Sequence, residues 1–250
     1  MRTAWTLTAL LVIASSASGQ SSNQYLRLQG LPQHGYIEIP SDVLLDAPAM
    51  TVEAWVSVRD AHLVTGCSSI AGNGYLTGWW LGLCGTSMRS YFNGAPSLMT
   101  GGVIPTAGVI PDTPTVWIHI AAVTDGVTRK HYINGNLVFQ AAETAPRSTS
   151  TRPIRIGSDP DWDFMAAGGI DDLRIWTVAR TQEQIRQTMF ASSIPATNDV
   201  AFQSLEAWYR FEGNAMDSWR THHGTIIGTG IGFESGVVIP LPPKHRAAKH

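Results

Sequence analysis

Between residue 25 and residue 240 the apolar positions recur every second residue far more often than every third or fourth. Thr51 to Val58 (TVEAWVSV) puts Val52, Ala54, Val56 and Val58 on one face and Glu53, Trp55 and Ser57 on the other. That period of two belongs to a half-buried strand. Tyr36 to Ile39 alternates and stops at Pro40. Tyr75 to Leu83 (YLTGWWLGL) groups Trp79, Leu81 and Leu83 against Gly78, Trp80 and Gly82. Met88 to Phe92 is a shorter candidate, and Val116 to Thr124 (VWIHIAAVT) is the longest. Thr128 to Ile133 and Asn136 to Gln140 flank Asn134-Gly135, a pair that tolerates positive φ at both positions and so predicts a two-residue hairpin turn. Pro153 to Gly157, Ile170 to Trp176, Ser204 to Phe211, Gly224 to Ile227 and Gly236 to Ile239 continue the series. One stretch breaks it. Thr181 to Met189 (TQEQIRQTM) opens with Thr181 as N-cap and Gln184 three residues on, a capping box that predicts one short helix. No helices alternate with the strands, which excludes a parallel α/β sheet. The expectation is an all-β, two-sheet antiparallel sandwich with one short helix.

Composition supports sheet and narrows the partners. Gly (24) and Pro (14) suit many short strands joined by turns, and the charged fraction of 14% is well below the usual quarter. A formal charge of −2 offers no basic surface to nucleic acid. Residues 1–19 have the layout of a secretory signal peptide: Arg2, the apolar run Leu7 to Ala14, and the small residues Ala17-Ser18-Gly19 before Gln20. The run is too short to span a bilayer, so no membrane insertion is expected. Residues 240–250 (PLPPKHRAAKH) read as a disordered basic tail. Outside the cytoplasm the two cysteines, Cys67 and Cys84, are expected to form a disulfide, which would stabilise the fold by roughly 3 kcal/mol in the chain-entropy model.

Three blocks carry a resemblance. The first runs from Tyr25-Leu-Arg-Leu-Gln-Gly through Tyr36-Ile-Glu-Ile-Pro to Thr51-Val-Glu-Ala-Trp-Val. The second runs from Trp117-Ile-His-Ile-Ala-Ala-Val-Thr-Asp-Gly to Tyr132-Ile-Asn-Gly-Asn-Leu-Val. The third runs from Ile156-Gly-Ser through Gly169-Ile-Asp-Asp-Leu-Arg-Ile-Trp to Ala179-Arg-Thr-Gln-Glu-Gln-Ile. In this order, over residues 25 to about 190, the chain resembles the LamG-like jelly-roll domains of the concanavalin A-like lectin/glucanase superfamily. The resemblance implies a jelly-roll sandwich and a secreted binding module, often for carbohydrate and often with calcium. Residues 204–228 (SLEAWYRFEGNAMDSWRTHHGTIIG) look like a further piece of the same family, placed here after the helix. About 35 residues cannot build a core of their own, so this piece is expected to complete one domain spanning residues 24–239; a truncated second copy is the alternative. The family's Gly/Asn/Asp-rich loop after Asp217 is replaced by Trp219-Arg-Thr-His-His223.

Chemistry candidates are few. Asp159, Asp161, Asp163, Asp171 and Asp172 cluster, and calcium takes six to eight oxygens of this kind. The Asp-x-Asp-x-Asp start is like an EF-hand loop, but Phe164 stands at the turn-glycine position and Ile170 at the bidentate-glutamate position. A solvated acidic loop is the plain alternative. The metal expectation therefore falls on Asp171 or Asp172, with Asp217 as the partner the resemblance points to. For ligand contact, Trp80 lies between two glycines that would leave its ring uncovered for a sugar face, against a core role beneath a loop; Trp162 is a second candidate ring. Trp79 is expected in the core. His119 and His131 are expected to be hydrogen-bonded sheet residues, and the loop pair His222-His223 has no Glu or Cys at ligand spacing. No Gly-x-Ser-x-Gly and no Glu-x-Asp-x-x-Glu is present. The expected function is a secreted, non-catalytic module that binds glycan. An extracellular protein-adhesion or structural domain, and a divergent glycosidase or lyase, are the alternatives.

Overall fold

The computed structural model describes residues 23–58, 67–84, 87–92, 117–143, 145–161, 167–196 and 198–236. Trp162, Asp163, the expected signal segment and the basic tail lie outside them. The strands are β1 (Gln24–Gln29), β2 (Tyr36–Ile39), β3 (Met50–Val58), β4 (Cys67–Gly72), β5 (Trp80–Cys84), β6 (Ser87–Tyr91), β7 (Ile118–Thr124), β8 (Thr128–Ile133), β9 (Asn136–Ala142), β10 (Ile154–Ile156), β11 (Ala167–Trp176), β12 (Leu205–Tyr209), β13 (Thr225–Ile227) and β14 (Ile231–Ser235), and among the described residues one α-helix, α1 (Gln182–Thr188), stands between β11 and β12. Two sheets form. One has the order β14-β1-β11-β3-β7-β8-β9 with β12 also on β11; the other has the order β13-β2-β10-β4-β5-β6. Every neighbouring pair is antiparallel.

The alternation read from sequence decides what lies between the sheets. Met50, Val52, Ala54 and Val56 of β3 meet Ile118, Ile120 and Ala122 of β7 and Ile170, Leu173 and Ile175 of β11 in one core with Ile37, Ile39, Ile154, Ile156, Leu81 and Leu83 of the second sheet. Each of these Val, Ile, Leu and Met side chains, fully buried, contributes about 1.5–3 kcal/mol. The 205–235 stretch supplies strands to both sheets: β12 pairs β11, β13 pairs β2 and β14 pairs β1.

Three elements depart from the sequence reading. Strand β4 (CSSIAG) went unrecognised because its Ser68 and Ser69 are buried polar residues rather than an alternating set. Strand Ile231–Ser235 went unread, and of the expected strand Gly236 to Ile239 only Gly236, at φ 122, lies among the described residues. Tyr75 to Trp79 is a turn, and the strand there begins only at Trp80.

The outer face of the larger sheet carries a second layer. Buried Glu53 accepts from Trp176 Nε1 at 3.0 Å and from Arg180 Nη1 at 3.0 Å, and buried Arg174 lies 3.9 Å from it. Arg174 also donates to the carbonyl oxygens of Thr188 (2.9 Å) and Ala191 (2.5 Å), and Trp55 Nε1 donates to that of Met189 at 2.8 Å. The capping box at Thr181 and Gln184 starts the helix, and these charged and indole donors fasten its far end to the sheet.

Candidate functional site

The Cys67–Cys84 disulfide forms between residues directly opposite each other on β4 and β5. Its neighbour Trp80 is fully buried, which corrects the reading of that ring as an exposed platform. Trp79 and Trp80 do point to opposite faces, and Trp79 sits in the core. The glycine beside Trp80 has a different use from the one inferred: a Cβ on Gly82 would stand 2.2 Å from the indole, so the ring lies down across that glycine. Tyr75, Tyr91 and the disulfide then cover it, and Trp80 Nε1 donates to Ser69 Oγ at 3.0 Å.

The three carboxylates expected around calcium are committed elsewhere. Asp217 Oδ1 accepts from the backbone N–H of Trp208 (3.0 Å) and Trp219 (2.9 Å), and its Oδ2 from those of Arg220 (3.1 Å) and His222 (3.2 Å). It organises the replaced loop. Asp172 stands at a bulge in β11 with φ 48, a conformation Asp tolerates, and accepts from Trp208 Nε1 at 2.5 Å with Arg174 3.5 Å away. Strict alternation would send Asp171 and Asp172 to opposite faces; the bulge breaks that rule. Asp171 is buried beside Asp172, and burial first, then the neighbouring carboxylate, pushes its pKa up to about 9. Burial likewise raises Asp172, against the pull of Arg174. Among the described residues no three His, Cys, Asp or Glu side chains gather as a metal set.

The histidines divide. His131 Nε2 lies 2.7 Å from Ser90 Oγ, and burial holds its pKa down at about 3. His119 does not make the hydrogen bond expected of it: its Nε2 lies 3.8 Å from Glu53, and burial lowers its pKa to about 4. His222 lies 2.9 Å from Glu206 and 3.8 Å from Asp42.

Asp42 borders a surface cleft. The 3₁₀ turn Val43–Asp46 follows β2 and is capped by Asp42, whose side chain accepts from Leu44 N at 2.8 Å. Asp46 turns inward. It pairs with Arg147 and accepts from Asn73 Nδ2 (3.1 Å) and Ser150 N (2.7 Å). Arg147 donates further to the carbonyl oxygens of Ala47 (3.2 Å) and Phe92 (2.6 Å), and Asn73 Oδ1 accepts from Trp79 N at 2.8 Å. Three loops are thereby locked at one end of the sandwich. They enclose a cleft of about 310 Å³ lined by Ser41, Asp42, Val43, Asp46, Pro48, Thr149, Ser150 and Thr151. Its lining is hydroxyl, carboxylate and short apolar groups on a rigid floor, an arrangement that can exchange hydrogen bonds with a polyhydroxylated ligand. Nearby, Asp161 of the acidic loop pairs with Arg152 and accepts from Leu76 N at 2.9 Å, so this aspartate ties the neighbouring loop down. The sequence reading passed over Asp46 and Arg147. A lone Arg opening the hydroxyl run Arg147-Ser-Thr-Ser-Thr151 was the available signal. A second cleft, of about 400 Å³, lies between β7, β8 and the start of α1, with Lys130, Asp125 and Thr181 in its lining.

Two antiparallel sheets of this order, with one helix among the described residues, define a jelly-roll sandwich fold. The chain belongs to the concanavalin A-like lectin/glucanases superfamily: the laminin G family within it matches residues 31–186. Mouse pappalysin-1 is 25% identical over 171 residues, covering 61% of this chain and 10% of that protein, so the chain spans a tenth of that relative's length. Among solved structures, a Bacteroides ovatus protein proposed to bind carbohydrate shares the fold at TM-score 0.59, with 17% identity over 85% of this chain and 60% of the other. Domain 4 of a GH43 extracellular arabinanase from Geobacillus stearothermophilus, solved with arabinotriose, is 25% identical over 61% of this chain and 71% of its own, at TM-score 0.46.

Proposed function

We propose that the protein is a secreted, non-catalytic carbohydrate-binding module that takes its glycan at the cleft between residues 41–48 and 149–151. The observation that carries this reading is the lining itself: hydroxyls and one open carboxylate set on loops that Asp46, Arg147 and Asn73 hold in place before any ligand arrives. Preorganisation of that kind lowers the ordering cost of binding a flexible sugar. Membership in a superfamily that contains lectins and glucanases points to the same ligand class. The disulfide suits an oxidising compartment, and among the described residues no helix is long and apolar enough to cross a membrane.

Non-catalytic action is favoured over hydrolysis by the cleft's carboxylates. Glycoside hydrolysis uses two that face the scissile bond. Asp42 is open, but Asp46 is neutralised by Arg147 and saturated by two further donors. The test is a glycan array on the mature protein, with and without EDTA, followed by reducing-sugar release from every polysaccharide bound. Specific binding that weakens in Asp42→Ala and Thr149→Ala, without sugar release, is the expected result. Binding to no glycan, or turnover of a bound one, would overturn the reading. Binding lost in EDTA would make the module calcium-dependent.

A further inference from the structure

Tryptophan indole N–H groups are donors, and when buried they usually find an acceptor. In this protein Trp55, Trp79, Trp80, Trp176, Trp208 and Trp219 each donate to a protein oxygen. Trp117 donates to none among the described residues, and it is only half-buried.

Its place in the sheet explains how an incompletely buried indole persists. Trp117 immediately precedes β7, one step beyond the Val56–Ile118 pair, so it stands beside Ser57 on the outer face of the larger sheet. Ser57 pairs with Gly169, and Gly169 with Arg27. The row beneath the indole therefore holds only a hydroxymethyl group and a bare Cα. The far edge of the ring reaches over Gly169, where an added Cβ would lie 2.5 Å from it. Tyr25 closes the end of the row edge-on, with ring centroids 5.2 Å apart at 76°. Beyond it the half-exposed carboxylate of Glu234 accepts from Tyr25 Oη at 2.8 Å and lies 3.5 Å from Arg27. The result is an apolar ring on a shallow floor, with a free donor on the ring and charged groups a few ångströms further along.

We infer that Trp117 is a sugar-stacking shelf, a second contact surface on the open sheet face for a glycan of more than one residue. A pyranose or furanose has one face rich in C–H bonds, which packs on an aromatic ring, and a hydroxyl periphery that takes the indole N–H and the Glu234 carboxylate. The small residues at 57 and 169 let the ring lie low on the sheet. This inference rests on the glycan-binding reading, but it concerns a different surface from the cleft.

The experiment compares wild type, Trp117→Ala, Trp117→Phe and Asp42→Ala by affinity electrophoresis on arabinan, xylan, mannan and mixed-linkage β-glucan. Melting temperature is read for each variant. Indole N–H resonances are followed with oligosaccharides of the polysaccharide that binds best. Trp117→Ala should weaken binding about tenfold, with Trp117→Phe between it and wild type. The phenylalanine variant should melt close to wild type, and the indole signal missing from it should shift when sugar is added to wild type. If both Trp117 variants bind as wild type does while Asp42→Ala fails, the shelf is overturned and the cleft stands. If the Trp117 signal does not move at saturating sugar, the shelf is overturned whichever way the alanine variant folds. If wild type binds none of the four and no glycan on the array, the glycan reading falls and this inference with it.

Discussion

At the scale of single residues, what the protein tolerates follows from which side chains were taken out of water. Trp80 fills the space over Gly82 beneath Tyr75 and Tyr91, so Trp80→Ala should cost about 3–5 kcal/mol, read as a fall in the denaturation midpoint. A loss under 1 kcal/mol would mean the ring is not packed there. The buried titratable groups give opposite pH limbs. His119 stays neutral in the fold, with a pKa near 4 set by burial, whereas the unfolded chain takes up its proton near the ordinary 6.5. Stability is therefore lost as pH falls from about 6.5 toward 4, at up to about 1.4 kcal/mol per pH unit for this group. His119→Gln should flatten that limb. Asp171 has the reverse sign. Its folded pKa of about 9 exceeds the unfolded value, so its contribution is complete in acid and declines as pH rises above the ordinary carboxylate range toward 9. Asp171→Asn should raise the melting temperature at pH 8 more than at pH 5; an equal change at both would show that the proton is not held. The core role of Trp80 was one of two readings open in the sequence, but the burial of Asp171 was not legible there. An Asp-Asp pair opening a strand reads as a metal site or a solvated loop, because the bulge that buries both depends on how β11 meets β3.

At the scale of elements, local chemistry was readable and long-range cover was not. The hairpin of β8 and β9 turns at Asn134-Gly135 with φ 49 and 70, and the helix begins on its capping box. Both signals are complete within a few residues. Trp80 shows the limit. Two glycines beside it were visible, but whether they open the ring to solvent or let it lie against the strand is decided by Tyr91, eleven residues away, and by the disulfide. Helix α1 has seven residues, too few to hold alone, so its end contacts matter more than its propensity. Thr181→Ala should cost about 1 kcal/mol. Arg174→Ala should cost more, about 3–5 kcal/mol, because it removes a cation facing buried Glu53 along with two bonds to the chain after the helix. Equal losses in chemical denaturation would show that the cap, rather than the arginine, fixes the helix.

At the scale of the whole molecule, the period-two pattern was enough for the two-sheet architecture, since alternation forces a common interior on any set of strands that pack face to face. The order of strands needed contacts between residues far apart in sequence, and the cleft needed three loops from separate regions to meet at Asp46. The disulfide joins neighbouring strands of the smaller sheet. Replacing both Cys67 and Cys84 by Ser should lower stability by roughly 3 kcal/mol in thermal or chemical denaturation, with the fold retained. The pairing of Gln24 with Ser235 brings the two ends of the described fold side by side on β1 and β14. A tension applied between those ends would pull at right angles to the two strands and break their hydrogen bonds in succession rather than all at once. Strand β14 would peel away at low force while the other neighbour of β1, strand β11, kept the sandwich shut. Joined into a longer chain at these two points, the domain would add little length and bear little load, hanging beside the line of force as a pendant.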